Sequence, residues 1–107
     1  MNPLPRVTMS RSFVQQMSDG DTIEEAYLVA RVYQALSQKE AARAAYLKAL
    51  SGAPERLDWR RELAEVLYQD GRLSEARAHL LIILSRRPQD DAAKSLLTAV
   101  SAELRGR

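Results

Sequence analysis

Side chains that could carry out catalysis are scarce in this chain. His79 is the only histidine and cysteine is absent, which excludes a thiol nucleophile, a thiolate metal site and any site that needs two imidazoles. The four glycines are scattered and form no phosphate-binding loop. We therefore expect no catalytic residue, no metal site and no cofactor.

The carboxylates have local explanations as well. Glu24 and Glu25 lie at the start of an apolar run, where acids stabilise the first turn of a helix. Glu62 and Glu65 lie beside arginines, and pairing at helical spacing explains them. His79 lies alone on a predicted helix, where a histidine is typical of the surface. No acid pair indicates general acid–base chemistry, so the chain is predicted not to be an enzyme.

Charge and hydropathy restrict the remaining classes. The formal net charge is +2, and acids and bases are interspersed without a basic stripe. The thirteen arginines against three lysines leave nucleic-acid binding as the weakest hypothesis, and we expect no nucleic-acid partner. No stretch approaches the roughly 20 apolar residues of a membrane span, and the N-terminal segment lacks a signal-peptide run. The chain as given is expected to be cytoplasmic; for a fragment of a longer protein the compartment stays open.

The sequence repeats itself with a period of 34 residues, the distance from Pro54 to Pro88. Small residues pair with small and large apolar residues with large at this offset: Ala30 with Ala64, Tyr33 with Leu67, Ala42 with Ala76, Tyr46 with Leu80 and Leu50 with Leu84. A two-helix unit of this length cannot bury its apolar faces alone and must stack on its neighbours. The period predicts an all-α stack.

Capping residues and breakers predict the helices. Thr22 with Glu25 and Ser37 with Glu40 have the capping-box form, so helices are expected from about 22 to 36 and from about 38 to 50. Further helices are predicted at about 55–69 and 73–86, and Asp90 can cap a last one. The resulting segments are a flexible lead (1–8), a short helix and turn (9–21), repeat one (22–56), repeat two (57–90) and a C-terminal capping helix with its tail (91–107).

The segment 9–21 carries its own apolar stripe. Met9, Phe13, Val14 and Met17 lie on one side of a helix, which ends at the turn cluster beginning with Ser18. This short helix is either an addition to the stack or the second helix of a degenerate preceding repeat.

The pattern resembles the tetratricopeptide repeat, most specifically in the stretch Gly71-Arg72-Leu73-Ser74-Glu75-Ala76. Two departures are Trp59, one place earlier than the usual aromatic, and Ser37, where glycine is usual. The resemblance implies a right-handed α-α superhelix of two such hairpins, with a short N-terminal helix and a C-terminal capping helix.

The resemblance also implies a concave groove lined by the first helix of each hairpin and binding a peptide or helix of another protein. The matching positions are Tyr27, Arg31, Gln34, Arg61, Glu65 and Tyr68. Tyr33 and Tyr46 are expected in the core, and Tyr27 and Tyr68 facing outward. One alternative is that the groove positions are ordinary solvated residues. Another is a fragment or self-associating segment of a larger scaffold, contacting through end residues such as Phe13, Leu97 and Val100.

Overall fold

The computed structural model describes residues 23–106, and all regular structure in that range is helical. The helices are α1 (Ile23–Ala35), α2 (Lys39–Gly52), α3 (Leu57–Gln69), α4 (Leu73–Arg86) and α5 (Asp91–Arg105). The all-α prediction is confirmed, and α4 has the predicted bounds. The lead, the short helix over 9–17 and the cap at Thr22 lie outside the described residues.

The helices form two layers, as shown by contacts between helices that are not consecutive. Tyr27 of α1 contacts Glu62 of α3, and Tyr68 of α3 contacts Glu103 of α5. On the other side, Arg43 of α2 pairs with Glu75 of α4. We call α1, α3 and α5 the A layer, and α2 and α4 the B layer.

Small residues allow the helices to approach closely. The four alanines singled out by the repeat have no exposed surface: Ala30, Ala42, Ala64 and Ala76. Large side chains fill the space between them, and Tyr46, Leu67 and Leu80 are likewise 0% exposed. The predicted core is thereby confirmed, with one difference: Tyr33 is only partly buried, whereas its repeat equivalent Leu67 is fully enclosed.

The last helix packs its apolar stripe on α4. Its N-cap is Asp90, whose carboxylate accepts a hydrogen bond from the backbone N–H of Ala93 at 3.0 Å, as predicted. Val100 has no exposed surface, and Leu97 is partly buried against the core. The expectation that these two residues are exposed end contacts for self-association is therefore wrong, because the stack itself uses their apolar surface. Phe13, the third residue of that group, lies outside the described range.

The turn between α1 and α2 differs from the predicted capping box. Ser37 has φ +60° and lies one residue beyond the end of the helical turn. Its N–H donates to the carbonyl of Gln34 at 3.0 Å, and the N–H of Gln38 donates to the carbonyl of Tyr33 at 2.9 Å. This bonding pattern is a Schellman motif, which ends a helix on a left-handed residue. Ser37 therefore terminates α1, and the N-cap of α2 is Gln38, without a side-chain cap.

Gly71 repeats this turn one period later, with φ +78°. A side chain in the left-handed region costs about 1–2 kcal/mol, partly offset because glycine loses more backbone entropy on folding. We expect Ser37→Gly to raise the free energy of unfolding by roughly 0.5–1 kcal/mol, and Gly71→Ser to lower it by a similar amount. Urea unfolding monitored by circular dichroism measures both changes. Destabilisation by Ser37→Gly would contradict the assigned turn.

Candidate functional site

A carboxylate on α3, Glu62, lies at the centre of a hydrogen-bonded cluster. The hydroxyl of Tyr27 donates to its Oε2 at 2.9 Å. The hydroxyl of Tyr46 lies 2.9 Å from its Oε1 and 2.7 Å from the side-chain amide of Gln34. A phenol has one proton, so Tyr46 donates to Glu62 and accepts from Gln34, whose amide nitrogen and oxygen exchange places by rotation. We call Tyr27, Gln34, Tyr46 and Glu62 the Glu62 cluster.

Both phenols of the Glu62 cluster are held as neutral donors. Burial raises the pKa of Tyr46 well above its ordinary value of 10.0, and the hydrogen bond to Glu62 adds to the rise. Burial and the same carboxylate also raise the pKa of Tyr27. Two phenolic protons therefore occupy Glu62, and the cluster fixes α1 and α2 to α3.

Arg31 lies at the rim of the Glu62 cluster and is held loosely. Its side chain is 59% exposed, and its Nε lies 4.0 Å from Glu62. Its Nη1 donates to the hydroxyl of Tyr27 at 3.3 Å, which is at the long end for a hydrogen bond. Because the carboxylate beneath already accepts two phenolic protons, most donors of this guanidinium remain open to an incoming ligand.

Trp59 fills the space between α1 and α3. It is 2% exposed and stacks on Tyr27, with ring centroids 4.5 Å apart and planes at 11°. The guanidinium of Arg56 lies 4.0 Å from the centroid of its ring, a cation–π distance. The displaced aromatic that departs from the family pattern thus joins neighbouring A-layer helices through its contact with Tyr27.

The rest of the A layer carries two further polar contacts. Arg61 pairs with Glu65 at 3.0 Å, and their side chains are 33% and 39% exposed; the predicted pairing four residues apart is confirmed. The hydroxyl of Tyr68 donates to Oε2 of Glu103 at 2.9 Å, and this bond raises the pKa of Tyr68. These contacts extend the polar surface from α3 to α5.

The six residues predicted to bind a partner all lie in the A layer, but in three groups. Tyr27, Arg31 and Gln34 meet around Glu62, Arg61 joins Glu65, and Tyr68 reaches toward α5. Tyr27 was expected to face outward, and instead it is partly buried with its hydroxyl bonded to Glu62.

Two residues that the site prediction underrated are Glu62 and Trp59. Local pairing was expected to explain Glu62, but its hydrogen-bond partners Tyr27 and Tyr46 are 35 and 16 residues away. An available signal was the 34-residue period itself, since it places position 62 one residue beyond the equivalent of Tyr27 on the next A-layer helix.

His79 lies between α3 and α4 and is not a surface residue as expected. Its Nδ1 lies 3.1 Å from Nη1 of Arg60. Arginine can only donate, so Nδ1 is the acceptor and the proton of the neutral ring is on Nε2. Burial lowers the pKa of His79, and the adjacent positive charge of Arg60 lowers it further. A histidine held neutral by an arginine explains its position without catalysis.

This arrangement predicts a stability loss in mild acid. The folded pKa of His79 lies below its ordinary value of 6.5, so its stabilisation is complete above that pH and declines as the pH falls through 6.5 toward the folded pKa. Arg60 of α3 and Arg43 of α2 disfavour the protonated ring, whereas Glu75 of α4 favours it. The urea midpoint should fall more between pH 7.5 and 5.5 for the parent than for His79→Asn, which keeps an acceptor. Equal slopes would contradict the assignment.

Other kinds of site have little support in the part of the chain that is described. No group of three His, Cys, Asp or Glu side chains within residues 23–106 could hold a metal ion. None of the five helices in that range is both long and apolar enough to cross a membrane. An open cavity of about 350 Å³ lies between α4 and α5, lined by Arg77, Ser101, Leu104 and Arg105, apart from the six predicted residues.

Comparison with known proteins gives one match. The family model described as the tetratricopeptide repeat matches residues 35–100, which extend from the end of α1 into α5. No curated protein and no solved structure matches the chain.

Proposed function

The chain belongs to the tetratricopeptide repeat family, a family of protein–protein interaction modules, and we propose that it binds a peptide or helix of a partner protein on its A layer. Stacked repeats of this kind offer extended surfaces made of the same helix from successive units. Here those helices are α1, α3 and α5.

The observation that carries the proposal is the contrast between Arg31 and the residues beneath it. Glu62 and both tyrosines of the Glu62 cluster have used their hydrogen-bonding groups on one another, whereas Arg31 is 59% exposed with weak contacts. A guanidinium presented on a rigid support suits a carboxylate of the partner, since arginine donates to both oxygens at once. The partner group opposite Arg31 is therefore expected to be acidic.

Arg61 and Tyr68 extend this surface along α3. Arginine and tyrosine combine contact area with directional hydrogen bonds and account for many of the largest energies at interfaces. Arg61 is already paired with Glu65, so it offers its remaining donors without leaving its position. Because the contacts among α1, α3 and α5 preform the surface, binding requires little ordering of the chain.

The test is quantitative affinity capture followed by mass spectrometry. The variant Arg31→Ala/Arg61→Ala/Tyr68→Ala removes two cations and one large side chain from the A layer. A matched control, Lys48→Ala/Arg77→Ala/Leu81→Ala, does the same at exposed positions of the B layer. We expect recovery of the specific partner to fall about tenfold or more for the first variant and to stay at the parental level for the second. Equal recovery by both variants would refute the assignment of the A layer.

A further inference from the structure

An apolar face of α1 is exposed where the equivalent positions of other helices are covered. Leu28, Val29, Val32 and Leu36 are 58%, 42%, 57% and 62% exposed, and their spacing places them along one side of the helix. One period later Val29 becomes Leu63 and Val32 becomes Val66, which are 0% and 1% exposed. Two periods later Val32 becomes Val100, also 0% exposed.

The difference follows from the neighbours of each A-layer helix. Helix α3 packs against α2, which precedes it, as well as against α4, and α5 packs against the preceding α4. Among residues 23–106, α1 has its main packing partner in α2, which follows it. A helix placed before α1, as α2 is before α3, would cover the exposed side.

The chain just before α1 has the composition that such a helix needs. Met9, Phe13, Val14 and Met17 are spaced as one side of a helix. An offset of 33 residues pairs Met9 with Ala42, Phe13 with Tyr46 and Met17 with Leu50, residues through which α2 enters the core. The apolar order of α2 is thus repeated, one residue closer to the following helix.

The connection is long enough to allow this packing. Five residues, 18–22, separate Met17 from Ile23, and an extended chain of that length spans about 17 Å or more. Packed helix axes are about 8–10 Å apart. A tethered segment also has an effective concentration in the millimolar range, which favours it over a second copy of the chain in dilute solution.

We propose that residues 9–17 form a helix whose apolar stripe packs on the exposed face of α1, formed by Leu28, Val29, Val32 and Leu36. The helix takes the place that α2 has against α3. It shields the A layer at its N-terminal end and leaves Arg31 accessible at the rim of the Glu62 cluster.

Amide hydrogen exchange on the full chain tests the proposal, at several concentrations and with the mass in solution measured alongside. We expect a monomer in which amides of residues 9–17 exchange at least about tenfold more slowly than in an unfolded chain. Phe13→Asp should abolish that protection, and Gln15→Asp, which adds the same charge on the opposite side of the predicted helix, should preserve it.

A second variant tests the face on α1. Val32→Asp changes a side chain that is 57% exposed in the described structure, so α3 and α4 should stay protected while residues 9–17 lose protection. Two results would overturn the proposal. One is exchange of residues 9–17 at the unprotected rate in the parent chain. The other is protection that appears only as the mass rises to that of a dimer, which would mean that a second copy covers the face.

Discussion

Replacing Trp59 with alanine is expected to lower the free energy of unfolding by about 3–5 kcal/mol, the largest effect of any single substitution considered. The ring is 2% exposed and stacks on Tyr27 at 4.5 Å. Its removal leaves a cavity between α1 and α3 and exposes the Glu62 cluster to water. Each kcal/mol corresponds to about 4–8 °C in the melting temperature of a domain of this size, so the melting temperature should fall steeply.

The measurement for Trp59 is urea and thermal unfolding followed by far-UV circular dichroism, since Trp59 is the only tryptophan and its fluorescence is lost in the variant. Trp59→Phe is the matched control, because it keeps an aromatic ring against Tyr27 and should lose much less. A loss below about 1 kcal/mol for Trp59→Ala, the range of ordinary substitutions, would contradict the packing between α1 and α3.

Replacing Ala64 with leucine is expected to have the second largest effect. Ala64 has no exposed surface, and three added carbons must displace neighbouring helices or force strained side-chain conformations. Such overpacking costs about 1–3 kcal/mol and sometimes more. The same approach of helices depends on Ala30 one period earlier, so Ala30→Leu should destabilise in the same direction.

The control for Ala64 is Ala78→Leu, an identical chemical change at an exposed position of α4. It should alter stability by no more than about 0.5 kcal/mol. Urea titrations with fitted m-values separate a stability loss from a change in the unfolded state. If Ala64→Leu and Ala78→Leu were tolerated equally, small residues would not be what brings the hairpins together.

The helices and the core were predictable because their signals are local and recur. Asp90 caps α5 as expected, and the alanines at the repeat positions are buried. The bounds agree closely because a left-handed turn or a proline follows each hairpin helix except α5. Ser37 was misassigned for a physical reason: serine is common at an N-cap, and its left-handed conformation depends on the Schellman bonds made by the chain around it.

The candidate site was less predictable because its contacts join distant residues. Glu62 resembles a locally paired acid, yet its partners come from α1 and α2, and only the stacking of the helices brings them together. Trp59 breaks the family spacing, and its stacking on Tyr27 depends on how α1 lies against α3. The six predicted residues share one layer because the 34-residue period fixes the layer to which each helix belongs. The period does not fix which of them spend their hydrogen bonds within the protein.

The central claim is that the A layer is the binding surface and that Arg31 is its most available anchor. NMR chemical-shift mapping of the chain with the captured partner tests it most directly. The account predicts that the largest amide shifts cluster around Arg31, Arg61 and Tyr68 and that α2 and α4 change little. Shifts concentrated on α2 and α4, with those three residues unmoved, would contradict it.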